Sequence, residues 1–195
     1  MDTKTKEEMI QEFREKKDYD HAIPLMTELA EAGNVEMMKK LARIYGDPDT
    51  GKADPRLAFV WAGKAAEAKD AHSMYLLSAF YQTGVGTSAD TKKAREWLEK
   101  AADAGDQEAN LALGKAILLE KLTPEMQKRI IDCFTKAVGV KPKFQDNLYS
   151  DACLAMSFCY AFGVGTAQDY GSVEWYLAEA GYYSIEMISE RDIRA

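Results

Sequence analysis

Between Ser73 and Gln107 the apolar positions recur with helical spacing on both sides of a glycine turn. Leu77, Ser78 and Tyr81 share one face of a first helix, at i, i+1 and i+4, and small Ser78 leaves room for a neighbouring helix. Gly84-Val85-Gly86 ends that helix, because glycine adopts left-handed backbone angles without steric cost. Asp90 then stands as the N-cap of a second helix. Its Ala94, Trp97, Leu98, Ala101 and Ala102 form the stripe of a helix with one buried face, and Gly105 closes it. Two helices this short cannot bury that stripe alone, so the pair needs neighbours.

The neighbours are copies of the same unit. A shift of 36 residues without gaps carries Tyr81 to Tyr45, Asp90 to Asp54, Trp97 to Trp61 and Lys100-Ala101-Ala102 to Lys64-Ala65-Ala66. One further step back reaches Asp18, Ala22, Leu25, Leu29 and Ala30. A step forward reaches Ala109, Leu113-Gly114 and Cys133, the last in the Trp slot. The final copy fits after 7 extra residues, with Ala152, Met156, Ser157, Tyr160, Gly163-Val164-Gly165, Asp169, Val173 and Ala180. Its bulky slot falls on Tyr176, and Trp175 lies one position early, facing another neighbour or the end of the array. The expectation is an all-α chain of about five helix-turn-helix repeats in one domain, 1–195. The units are an N-terminal cap (1–36), 37–72, 73–108, a degenerate 109–151 with an inserted loop, 152–187, and a tail 188–195.

The pattern Leu-small-x-x-Tyr, Gly-x-Gly, Asp, then Ala-x-x-Trp-x-x-x-Ala-Ala-x-x-Gly resembles the Sel-one-like repeat (SLR) family, relatives of the tetratricopeptide repeats. Ser73 to Gln107 is close to the family pattern, and the resemblance covers nearly the whole chain. Three departures stand out. Asp47-Pro48-Asp49-Thr50-Gly51 replaces Gly-x-Gly in the second copy, the first copy keeps only its second helix in register, and the fourth lacks both turn glycines and the Trp. The resemblance implies a right-handed α-solenoid used as an adaptor or scaffold, with no shared active site and no cofactor.

Composition narrows the partner. With 47% hydrophobic and 29% charged residues the chain has an ordinary globular make-up. A formal charge of -7 disfavours nucleic acid and anionic membranes, which attract basic surfaces. Met1–Lys17 is highly charged with no apolar run behind it, so it reads as neither signal peptide nor anchor, and cytoplasm is the expected setting. Cys133, Cys153 and Cys159 are odd in number and irregular in spacing, which suits buried free thiols. His21 and His72 stand in different repeats without Cys or carboxylates at ligand spacing, so no metal is expected.

Several local features carry their own expectations. Lys6–Lys17 reads as a helix with Met9, Ile10 and Phe13 on one stripe, a polar cap for the first full repeat or, alternatively, an arm docking elsewhere. Pro24 fits the following helix only in its first turn. Asp54-Pro55 and Thr123-Pro124 have the form of N-cap and first helical residue. Glu108 to Lys121 reads as an elongated helix that replaces the glycine turn. Gly139 to Leu148 reads as a loop, either neutral or a contact through Lys141, Lys143 and Phe144.

In arrays of the kind the resemblance implies, first helices line the concave face. The slots left free of packing there are Lys39, Tyr75, Leu111 and Leu154, then Arg43, Ala79, Lys115 and Phe158. The candidate partner-binding residues are Lys39, Arg43, Tyr75, Lys115 and Phe158, suited to a peptide or partner helix that carries carboxylates between apolar side chains. The alternative is that Leu111, Leu154 and Phe158 pack between helices. The repeat-defining residues are Tyr45, Trp61, Tyr81, Gly84, Gly86, Trp97, Tyr160, Gly163, Gly165 and Tyr176. No nucleophile, acid–base pair or phosphate loop is recognisable, so no catalysis is expected. Three readings remain: an adaptor holding a protein or peptide in its groove, a dedicated regulator or neutralising partner of one protein, or a self-associating structural subunit. A monomer or weak oligomer is expected.

Overall fold

The computed structural model describes residues 3–139, 142 and 146–181, and these are all helix and turn, with no strand among them. The chain divides into two compact units, Met1–Ala104 and Gly105–Ala195. The first holds α1 (Thr3–Glu15), α2 (Tyr19–Glu31), α3 (Val35–Gly46), a 3-10 turn (Pro48–Thr50), α4 (Pro55–Glu67), α5 (Ala71–Thr83) and α6 (Thr91–Asp103). The second holds α7 (Gln107–Leu118), α8 (Pro124–Val138), α9 (Asn147–Phe162) and α10 (Tyr170–Glu179). Within each unit every helix packs on its successor, the helix-turn-helix order the repeat dictates.

The 36-residue period is visible in the caps. Asp18, Asp54 and Asp90 accept a backbone N–H at the starts of α2, α4 and α6. Asn34, Asp70 and Asp106 do the same for α3, α5 and α7. Just before this second set stand Gly33, Lys69 and Gly105, with φ of +96°, +68° and +92°. The repeated Tyr acts through its backbone. The N–H of Asp54, Asp90 and Asp169 donates to the carbonyl of Tyr45, Tyr81 and Tyr160, at 2.8, 2.8 and 3.2 Å, which closes the turn onto the second helix.

The Gly-x-Gly turns need glycine twice over. Gly84, Gly86, Gly163 and Gly165 all have positive φ. A Cβ at Gly86 would lie 2.0 Å from the Pro55 carbonyl oxygen, and one at Gly165 would lie 2.2 Å from that of Gln127. Each turn therefore rests on the backbone of the preceding repeat's second helix. In the first unit Trp61 is buried under the Lys64 ammonium, 4.1 Å from its ring centroid. Trp97 carries Lys100 at the same 4.1 Å but is only half-buried, less enclosed than its slot suggests. In the second unit Tyr176 stacks on Tyr160 at 5.7 Å, and Trp175 is 53% exposed, edge-on to Tyr176.

Several expectations require correction. Pro24 lies inside α2, beyond its first turn, because Asp18 caps the helix and starts it at Tyr19. The proline is exposed, and the bond it forgoes would have reached Asp20, itself exposed at the helix start. The stretch from Glu108 is not an elongated helix reaching Lys121. α7 stops at Leu118, leaving Leu119 90% exposed, since Pro124 starts α8 and holds Thr123 in an extended conformation. The fourth copy lacks the Trp, as its sequence shows, but keeps a buried aromatic. Cys133 fills the Trp slot, but Phe134 beside it is fully buried. Finally, α9 begins at Asn147 and buries Tyr149, so part of the inserted length is helix and the 151/152 division falls within it. Lys141, Lys143, Phe144 and the tail 188–195 lie outside the described residues.

Candidate functional site

α3 is positioned by its buried stripe of Met37, Met38, Leu41, Ala42 and Ile44, which leaves Lys39, Lys40 and Arg43 towards the surface. α5 buries Ser73, Leu77 and Ser78, leaving Leu76 and Phe80 half-buried beside them. Between the two helices, both first helices of their repeats, is a cavity of about 680 Å³. Its lining includes Glu36, Lys39, Lys40, Ala42, Arg43, Gly46 and Asp47 on the α3 side and His72, Ser73, Leu76 and Phe80 on the α5 side. The size is that of a small-ligand or side-chain pocket.

The charges around it are largely spoken for. Lys39 Nζ bridges Asp70 at 3.1 Å and Glu36 at 3.6 Å, and Lys40 reaches Glu36 at 3.7 Å. Asp70 also accepts from the N–H and hydroxyl of Ser73, so Lys39 ties α3 to the start of α5. The hydrogen bond to Asp70 holds the Lys39 ammonium above its ordinary range, against the opposing effect of burial. Partial burial works to raise the Asp70 carboxyl, but Ser73 and Lys39 outweigh it and hold it below the usual carboxylate range. Asp47 accepts the Asp49 N–H. Arg43 is exposed and makes no ion pair among the described residues.

The other candidate residues fall elsewhere. Tyr75 is half-buried, its ring 6.2 Å from His72, and is not part of the cavity wall. In the second unit Leu111 is buried and Leu154 packs against Tyr149, Cys153 and Ala180, so both are packing residues and not a free surface row. Lys115 pairs with Asp151 at 3.0 Å. Phe158 is 45% exposed and lies against Phe162, with centroids 4.7 Å apart. Lys39 and Arg43 are thus brought together on one wall, while Lys115 and Phe158 belong to the second unit. Sequence reasoning missed Lys40, Leu76 and Phe80. The signal was available, since α5 is apolar on more than one side of its buried stripe.

The remaining chemistry is sparse. Cys133, Cys153 and Cys159 are buried and in no disulfide, and burial pushes the Cys159 thiol up to about 11. Among the described residues no group of His, Cys, Asp and Glu is placed to hold a metal ion, and no helix is long and apolar enough to cross a membrane.

The Sel1 repeat family model matches residues 35–70, 71–106 and 150–180, more than half of the chain. It passes over α7 and α8 entirely, where the fourth copy carries Glu120, Leu122 and Cys133 in the turn and Trp slots. No curated protein matches the sequence. Among solved structures, a Sel1 repeat protein from Oxalobacter formigenes is similar, with 26% identity over 83% of this chain and a TM-score of 0.69. The protective antigen c5321 of uropathogenic Escherichia coli strains, described as displaying an SLR fold, matches with 25% identity over 83% of this chain and a TM-score of 0.67. The present chain spans 44% and 33% of the lengths of those two proteins. Sel1 repeats generally mediate protein–protein interaction as non-catalytic scaffolds. Three family matches, each on a pair of helices joined by a turn and together covering more than half of the chain, show the family: the chain belongs to the Sel1 repeat family.

Proposed function

We propose that the protein is a non-catalytic adaptor that docks a partner protein on the faces of its first helices. The observation that carries this reading is the cavity between α3 and α5, whose wall comes from the first helices of two successive repeats and the two residues at the end of α3. Among the described residues that line it, none belongs to a second helix. Exposed Arg43 on α3 and Ala79 on α5 occupy matching repeat slots and extend the same face.

The test is affinity capture from the cells that express the protein, using wild type beside a charge-reversed variant, Arg43→Glu with Lys115→Glu. Both side chains are exposed, so the variant keeps the fold. A dominant partner recovered with wild type and lost with the variant supports a first-helix docking face. The same partner retained at full yield moves the interface to the second helices.

A further inference from the structure

Resting on the reading that first helices form the docking face, we infer that the α3/α5 groove takes a peptide segment in which a carboxylate side chain flanks an apolar one. Charge complementarity selects that chemistry. Three cations line the groove, on a chain of net charge -7. Lys39 and Lys40 are held by Glu36 and Asp70, and Asp47 is engaged in capping its own turn. Arg43, at the rim, is the lining cation that makes no ion pair among the described residues.

An arginine in that position is suited to a carboxylate. Its guanidinium stays charged at any physiological pH and offers a planar fork to two carboxylate oxygens. The apolar half of the seat is Leu76 and Phe80, half-buried side chains beside Ala42 that keep surface open to the groove. Phe80 is braced from behind by Phe59, with ring centroids 6.2 Å apart in an edge-on arrangement, so an incoming side chain meets a supported wall. A basic segment would face Arg43 and the two paired lysines. A purely polar one would leave the Leu76–Phe80 wall unused.

The experiment is a titration of the ¹⁵N-labelled full chain with three short synthetic peptides, followed by amide chemical shifts. One has acidic residues around Leu-Phe, one has lysines around Leu-Phe, and one has acidic residues around Ser-Ser. Binding of the first alone, with shifts concentrated in α3 and α5, is the expected result. Arg43→Gln then weakens it about tenfold or more, as expected for a hydrogen bond between charged groups, while Lys92→Gln, exposed on the second helix α6, leaves it unchanged. No shifts up to about 1 mM peptide, equal shifts with either control peptide, or indifference to Arg43→Gln would each overturn the inference. If one of these occurs while partner cross-links remain confined to first-helix positions, the docking face stands and only its ligand chemistry is wrong. Peptide binding as expected, with cross-links on second helices instead, would reject the docking face.

Discussion

The ring of Phe134 occupies the space that a side chain at Gly114 would need: a Cβ there would lie 2.4 Å from the Phe134 Cε1. In the repeat frame Gly114 replaces Ser78 and Phe134 replaces Leu98, one position after the Trp slot that Cys133 fills. The degenerate copy has therefore moved its aromatic by one residue and cleared the facing helix to receive it. Gly114→Ala should cost about 1–3 kcal/mol by overpacking, and Phe134→Ala about 3–5 kcal/mol. Urea unfolding of both checks this, together with Phe134→Leu and the compensating pair Gly114→Ala/Phe134→Leu, which is compared with its own two single changes. The pair should lose less than the sum of the single changes, and strict additivity would mean that the two sites do not share the space.

Not every left-handed glycine is equally constrained. Gly33 and Gly105 have no atom within 4 Å of an added Cβ, so alanine there should cost only the backbone strain, about 1–2 kcal/mol. Gly86→Ala and Gly165→Ala add a collision with a backbone carbonyl and should cost about 2–5 kcal/mol. Lys69 occupies the slot of Gly33 and Gly105 with φ +68°, and Lys69→Gly should gain about 0.5–1 kcal/mol. Thermal melts rank all five, and a destabilised Lys69→Gly would contradict the strain argument.

The two tryptophans should separate in stability. Trp61 is 6% exposed, and its truncation to alanine should cost about 3–5 kcal/mol. Half-buried Trp97 should lose about half as much. Equal losses in denaturant titrations would show that the repeat slot, and not burial, sets the energy.

Alkaline pH should weaken the second unit. Burial raises the Cys159 thiol from 9.0 to about 11 in the folded chain. A folded value above the unfolded one means that this contribution is whole below about pH 9 and is lost as pH rises through about 11. Burial also raises Tyr149 and Tyr176, so they add to the same trend. The urea midpoint of wild type should fall between about pH 8 and about pH 10.5, and the fall should be smaller for Cys159→Ala. An identical fall in both proteins would assign the effect elsewhere.

Much of the fold was legible because the repeat tolerates no gaps across Asp18, Asp54 and Asp90, and each of these residues does one visible job. Asn34, Asp70 and Asp106 are equally periodic, but each directly follows the residue that ends the preceding helix, which hides the cap of the next helix in the sequence. α7 is shorter than its sequence suggests because a turn needs no glycine where Thr123-Pro124 opens the next helix. The candidate site was legible only in outline. Spacing put Lys39 and Arg43 on one face of α3, but only the fold shows that Lys39 is committed to Asp70 while Arg43 is not. Leu111 and Leu154 hold equivalent slots to Lys39 and Tyr75 and turn out to pack, because a repeat position fixes direction but not what the neighbouring helix leaves open.

The claim that first helices carry the partner is tested most directly by site-specific photo-cross-linking in the cells that express the protein. A photoreactive residue at Ala79, exposed on α5, is compared with one at Val60, 44% exposed on α4. Adducts to a partner protein from position 79 and none from position 60 are the expected result. Adducts from position 60 alone would place the partner on the second helices and contradict the proposed docking face.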